Sequence, residues 1–215
     1  MTPLVDPRSL TFCSGRISDQ SKPALVIFTS GSTGPPKGAA IRRYNIYMGA
    51  FSVIKKNGIS RDSKTLQLLP THHGTGLMVN TIPTLLGGGS LEFHQGQFDP
   101  AVVWERFRKG DVTCFSAVPT MFILLLRHWE NVLSRLPAVE KETYQAAVSN
   151  FREFHCSTSA LPRDVGRKWA EMTRGIPILE RYGGTEFSNV YACYPNMKVP
   201  EVGIKIYLKD RYGPI

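Results

Sequence analysis

The sequence predicts an α/β domain, a largely parallel sheet layered with helices. Two observations carry that expectation. Short apolar runs recur along the chain, most of them ending in Gly, Ser, Thr or Pro, and segments with apolar residues at helical spacing separate them. Strand and helix alternating in this order build βαβ units, whose crossovers make neighbouring strands parallel and cover both faces of the sheet. In such sheets ligands bind beyond the carboxyl ends of the strands, so the loops that follow strands are where chemistry is sought.

Residues 24–29 (ALVIFT) are a continuous apolar run and read as a buried strand. Residues 29–38 are expected to join that strand to a helix. Tyr44, Tyr47, Met48, Phe51 and Ile54 then recur at helical spacing, and Lys55, Lys56, Asn57 and Gly58 supply a stop. Residues 65–69 (TLQLL) form a second strand, followed by a loop over 70–76. Residues 77–86 read as helix up to the glycine break at 87–89, in spite of Pro83, and 90–93 as a short strand. Asp99 and Pro100 are an N-cap and a first-turn proline for a helix reaching about Lys109. Residues 112–115 (VTCF) are a strand. Pro119 opens a helix whose 121–126 run is apolar nearly all round and is therefore buried. Residues 154–156 read as a short strand, 164–173 as a helix with Val165, Trp169 and Met172 on one face, and 177–179 as a strand running into a polar loop. Residues 202–208 alternate weakly, and 210–213 read as a turn.

The 215 residues, 42% hydrophobic and 20% charged, have the composition of a folded domain and the length for a sizeable core. No apolar stretch reaches the length of a membrane span. The first residues show no basic, apolar leader pattern, so a cytoplasmic setting is expected, with mitochondrion and peroxisome left open. Cys13, Cys114, Cys156 and Cys193 lack CxxC spacing, which argues against a zinc or redox motif; Cys114 and Cys156 lie in strand-like runs and read as buried free thiols. The net charge of +9 is concentrated early: residues 1–64 hold ten Lys and Arg against three Asp. That patch could favour phosphorylated ligands. A solvated face, or a surface whose acidic partner segment is missing, is the stronger reading, and no zinc-finger or RNP signature points to nucleic acid.

The most informative loop is 29–38, TSGSTGPPKG, directly after the first strand. Glycines let backbone N–H groups approach a ligand, hydroxyls donate hydrogen bonds and a lysine supplies a mobile cation. That is a phosphate-binding composition, although the spacing is not that of a Walker A loop. The loop resembles the signature of the adenylate-forming superfamily, which includes acyl-CoA synthetases. Three further segments agree in order and spacing: 69–77 (LPTHHGTGL), 112–119 (VTCFSAVP) and 180–186 (ERYGGTE). The resemblance implies a partial large, N-terminal domain of the acyl-CoA synthetase fold. It also implies a two-step reaction, in which a carboxylic acid and ATP give an acyl-adenylate and coenzyme A then takes the acyl group. By position, Thr29, Ser30, Gly31, Ser32, Thr33, Gly34 and Lys37 would hold the pyrophosphate end of ATP. Tyr182 would lie against the adenine, Thr185 would bond the α-phosphate, Glu186 would hold Mg²⁺ and His73 would sit beside the carboxylate. Neighbouring His72 is the alternative to His73; the tandem pair has no further partner at metal-ligand spacing.

Residues 70–73 (PTHH) and 179–183 (LERYG) resemble the malonyl-CoA synthetase branch. Arg181 could therefore pair with the second carboxylate of a dicarboxylic acid, or could be a surface residue flanking the motif; malonate and fatty acids are the expected substrates. The expected organisation is a lead-in over 1–23, an AMP-binding core over 24–200 and the start of a following subdomain over 201–215. The resemblance implies truncation at both ends, without the ribose-binding Asp or the adenylation lysine of the family. It departs within the chain at 157–162 (STSALP), one residue shorter than the family pattern and lacking its glycine, and at Gly184. The alternative to a ligase is accordingly an inactive nucleotide-binding remnant.

Overall fold

The structure, a computed structural model, describes residues 19, 21–30, 34–186 and 188–192. The expected elements at 202–208 and 210–213, and Cys13 and Cys193, lie outside them. A sheet with strand order β4-β3-β5-β6-β7-β8 runs through the domain. Its strands are β3 (Lys64–Gln67), β4 (Ser90–Phe93), β5 (Cys114–Ala117), β6 (Glu153–Cys156), β7 (Ile178–Gly184) and β8 (Ser188–Ala192). The first five are parallel, and β8 closes the edge antiparallel to β7. Helices α3 (Pro100–Arg108), α4 (Pro119–Asn131), α5 (Ala138–Ser149) and α6 (Arg163–Met172) form one side. On the other side lie α1 (Arg43–Asn57), a π-helical turn at Thr75–Thr81 and α2 (Ile82–Leu86).

Local signals place several of these elements. The Asp99 carboxylate accepts a hydrogen bond from the Ala101 N–H at 2.8 Å, and Pro100 follows it, so α3 starts where a capped helix should. Gly58 ends α1 in the left-handed region, at φ 58°. Val165, Trp169 and Met172 form the buried face of α6. They join Trp104, Phe107, Phe115, Phe122, Phe151 and Phe154 in a core of edge-to-face aromatic contacts; Phe154 and Trp169, for example, meet at 5.1 Å and 79°. Cys114 and Cys156 are buried free thiols.

Three expectations need correction. Residues 24–29 do form a strand, β1 (Pro23–Thr29), but it is not buried in the parallel sheet. It pairs antiparallel with β2 (Lys37–Arg42) in a separate two-stranded ribbon. A parallel partner needs a crossover of a dozen or more residues, and the link between these strands is far shorter. One face of the ribbon is covered, where Ile27 and Ile41 pack on Met78, while Val26 and Phe28 stand 52% and 72% exposed. Residues 29–38 therefore join strand to strand, and α1 follows β2 directly. In α1 itself the residues at helical spacing, Tyr44, Tyr47, Met48 and Phe51, face outward, and the smaller Ala50 and Val53 face the fold. Thirdly, the polar segment after residue 179 is not a loop: β7 continues through Gly184 and turns back into β8. Periodicity does not anticipate α5, which buries only Tyr144, Ala147 and Val148. Among the described residues, no helix is long and apolar enough to cross a membrane.

Candidate active site

The carboxyl ends of β3, β6 and β7 lead into the loops that build the site. After β3 the chain is held by buried Gln67. Its Nε2 donates to the carbonyls of Leu69 (2.8 Å) and Gly76 (3.1 Å), while Asn80 Nδ2 donates to its Oε1 at 3.0 Å. The Thr81 hydroxyl also donates to the Gly76 carbonyl, at 2.8 Å. These bonds fix the π-helical turn, an element that often marks a functional position. A Cβ on Gly76 would lie 2.1 Å from the Pro70 carbonyl oxygen, so only glycine lets the turn approach the loop this closely. In that loop the His73 N–H donates to the Pro70 carbonyl at 3.1 Å, and its Nδ1 accepts from the Thr75 N–H at 3.3 Å. The neutral ring then carries its proton on Nε2.

After β6 the loop is tied to the neighbouring strands. The Ser157 N–H donates to the Ala117 carbonyl at 3.4 Å, and the Leu161 N–H donates to the Glu180 carboxylate at 2.7 Å. Thr158 sits at φ 81°, a region β-branched residues avoid. Strain of this kind costs about 1–3 kcal/mol and concentrates at functional sites. The third segment is the end of β7 and its turn, Arg181 to Glu186. Gly74 closes the contact between the first and third segments: a Cβ there would stand 3.4 Å from Thr185 Oγ1.

These loops enclose a cavity of about 250 Å³ lined by His73, Gly74, Thr75, Met78, Val79, Ser157, Thr158, Arg181, Gly183, Gly184 and Thr185. An adjoining lobe of about 300 Å³ is lined by Thr158, Ser159, Ala160, Glu180, Arg181, Tyr182 and Gly183. Thr158, Arg181 and Gly183 wall both, so the two lobes form one cleft. Arg181 is only 7% exposed, and burial lowers its pKa to about 10, so it is a cation at neutral pH. No hydrogen bond or ion pair holds its guanidinium among the described residues, which leaves its donors available to an anion in the cleft.

His73, Arg181 and Thr185 thus share the first lobe, and Tyr182 walls the second. Arg181 is a cleft residue and not a surface one; His72 is exposed and lines neither lobe. Glu186 stands exposed on the turn beside Thr185. Glu186 lines neither lobe; as a single hard carboxylate it could serve as one ligand of Mg²⁺, which keeps several waters and takes few protein ligands. Thr29, Ser30, Gly34 and Lys37 sit on the β1–β2 hairpin and do not line the cleft. That hairpin reaches the site through Met78, which packs on Ile27 and Ile41 and also lines the first lobe. Gly31, Ser32 and Thr33 lie outside the described residues. Met78, Val79 and Glu180 are not singled out by the sequence. The 157–162 loop is, through its family resemblance, which implies that it lines the adenine side; the family glycine it lacks would relieve the φ that Thr158 adopts.

The profile of the AMP-binding enzyme family matches residues 5–210. The chain belongs to the AMP-binding enzyme family. Among its relatives are the mitochondrial malonate–CoA ligases ACSF3 of Xenopus laevis and Homo sapiens, at 34% and 32% identity over 76% and 78% of this chain. A feruloyl-CoA synthase of Amycolatopsis is 30% identical over 75%. A malonyl-CoA ligase solved as a ternary product complex with methylmalonyl-CoA and AMP superposes with a TM-score of 0.71 at 28% identity, covering 83% of this chain and 36% of that one. Apo MatB from Rhodopseudomonas palustris gives the same TM-score and identity over 85% and 33%. The chain spans 28%, 29% and 30% of the lengths of these three curated relatives. The α/β layering is therefore that of the large domain of AMP-binding enzymes, and the cleft falls at the strand ends where this architecture places ligands.

Proposed function

We propose that this chain carries the acid and nucleotide site of an acid–thiol ligase, one that activates a carboxylic acid with ATP and passes the acyl group to coenzyme A. The observation that carries the reading is the single cleft in which His73, Arg181 and Thr185, far apart in sequence, surround one lobe and Tyr182 walls the next. The acid would occupy the first lobe, with its reacting carboxylate beside His73. The adenine would lie along Tyr182 and the 158–160 loop. A carboxylate oxygen attacks the α-phosphorus, the bond to the bridging oxygen breaks, and pyrophosphate leaves with the electron pair. The Thr185 hydroxyl donates to the α-phosphate as charge builds there. The hydroxyls and backbone N–H groups of Thr29, Ser30, Gly31, Ser32, Thr33 and Gly34, with Lys37, would receive the departing pyrophosphate. Mg²⁺ held at Glu186 would supply charge neutralisation for the phosphates. In the second step a coenzyme A thiolate attacks the acyl carbonyl and AMP leaves.

Arg181 is the group we assign to substrate choice. A nearly buried guanidinium with open donors pays for its desolvation only when an anion completes it, and a second carboxylate meets that need bidentately. Malonate and similar short dicarboxylic acids are therefore the proposed substrates ahead of fatty acids; the malonate–CoA ligases among the relatives support this order. The experiment is exchange of labelled pyrophosphate into ATP, run with malonate and with monocarboxylic acids. Acid-dependent exchange that falls about a hundredfold or more on Thr185→Val, the loss common for one such donor, supports the ligase. Tight binding of an acyl-adenylate mimic without exchange assigns the chain to the inactive nucleotide-binding reading, and no binding sinks both.

A further inference from the structure

The sheet face beneath the cleft carries buried charge that the reaction above does not use. Pairing of Cys114 with Glu153, Ser116 with His155 and His155 with Leu179 puts Glu153, His155 and, two residues beyond Leu179, Arg181 on one face. Thr65 and Gln67 share it from β3. A sheet covered on both sides normally buries apolar residues on both. Here the opposite face does so, with Leu66, Phe115, Phe154 and Ile178, whereas this face buries Glu153 at 7%, His155 at 2% and Arg181 at 7% exposure. Glu153 is thus an acid sealed one strand away from the cation that lines the cleft.

We propose that Glu153 is a positioning residue that sets the net charge Arg181 presents to the cleft, and through it the preference for acids with a second carboxylate. The inference rests on the assignment of Arg181 to that carboxylate. When Glu153 is ionised it offsets part of the Arg181 field, and a dicarboxylic ligand is held less tightly. When Glu153 is protonated the field reaches the ligand in full. A ligand with an ethyl group in place of the second carboxylate is indifferent to the change.

The surroundings of Glu153 support such a role. From β5, the Cys114 thiol is pushed up to about 11, by burial first and by Glu153 second, and stays neutral. From β6 itself, His155 Nε2 stands 3.0 Å from the Glu153 carboxylate, and burial drives the imidazole well towards its neutral form. From β7, α1 and the turn before β6, the cations Arg181, Lys56 and Arg152 favour the carboxylate. Burial outweighs them and raises the Glu153 pKa to about 7, so its charge changes near neutral pH. Arg181, at about 10, does not change with it.

The test measures binding of malonyl- and butyryl-sulfamoyl adenosine to the 215-residue chain by calorimetry between about pH 5 and pH 9, a window spanning the Glu153 transition. Wild type is compared with Glu153→Gln and Arg181→Gln. In wild type the malonyl-over-butyryl preference falls on the order of tenfold as pH rises through about 7, the scale of two charges roughly 10 Å apart at an effective dielectric constant of about 20. In Glu153→Gln the preference stays at its low-pH value throughout. All other groups are common to both proteins, so their contributions cancel in the comparison. Arg181→Gln abolishes the preference at every pH. A preference that depends on Arg181 but is flat in wild type, or identical in Glu153→Gln, overturns the role of Glu153 alone. If Arg181→Gln keeps the preference, or neither probe binds, the assignment of Arg181 fails as well. Should Glu153→Gln not fold, Glu153→Leu takes its place in the same comparison.

Discussion

Gly76 is where the fold and the candidate site are joined, and replacing it by alanine tests that junction. The added Cβ would stand 2.1 Å from the Pro70 carbonyl oxygen and 3.0 Å from that of Leu69, both backbone atoms that cannot swing aside. The loop carrying His73 must then move, or the π-helical turn must. Overpacking of this kind costs about 1–3 kcal/mol. The Gly76 carbonyl also accepts from Gln67 and Thr81, and Gln67 is 2% exposed. Stretching those bonds adds about 1–2 kcal/mol, because a buried amide is left poorly paired. The expected loss for Gly76→Ala is therefore about 2–5 kcal/mol, read by urea denaturation, with a fall in melting temperature of roughly 5–15 °C for a chain of this size. Gly74→Ala is the control. Its Cβ would meet Thr185 Oγ1 at 3.4 Å, an ordinary contact, so stability changes by less than about 1 kcal/mol while the cavity beside Thr185 narrows and adenylate-mimic affinity drops. A Gly76→Ala protein within about 0.5 kcal/mol of wild type would mean that the turn accommodates a side chain against the Pro70 carbonyl, contrary to this expectation.

Three further outcomes follow from the same contacts. Trp104→Phe should destabilise more than Trp169→Phe, by about 1 kcal/mol in urea denaturation, because the Trp104 indole donates to the Leu125 carbonyl at 3.0 Å whereas that of Trp169 has no hydrogen-bond partner among the described residues. Glu180→Ala releases the Leu161 N–H, so amide exchange at Leu161 should accelerate and AMP affinity fall several-fold, with global stability lowered by about 1–2 kcal/mol. For Glu153 the folded pKa lies above the unfolded value, so its favourable contribution is complete below about pH 4.5 and lost as pH rises through about 7. Stability should decline over that window by up to about 3 kcal/mol, and Glu153→Gln should flatten the decline in pH-dependent denaturation.

The parts of this fold that are legible in the sequence are those fixed by local signals. Asp99-Pro100 marks the start of α3, Gly58 the end of α1, and Val165, Trp169 and Met172 mark the buried face of α6, because capping and periodicity act within a few residues. The β1–β2 ribbon is not legible, since an apolar run such as ALVIFT reads the same whether one face is covered or two. β2 hides in KGAAIR, whose glycine and alanines have little strand preference. The loops of the site are legible through their resemblance to family motifs, and Arg181 through the segment LERYG. The buried acid and imidazole of β6 are not: a four-residue strand gives no pattern, and what makes Glu153 and His155 unusual is the burial that strands 114–117 and 178–184 impose on them.

The central claim is that three segments distant in sequence bind one ligand. The measurement that tests it most directly is amide NMR of the 215-residue chain titrated with malonyl-sulfamoyl adenosine. Resonances of Gly74 and Thr75, of Ser157 and Thr158, and of Gly183 to Thr185 should shift together with one saturation curve, since these residues line a single cleft. Shifts confined to one of the three segments, segments saturating at different concentrations, or shifts clustered on α3 to α5 would contradict it.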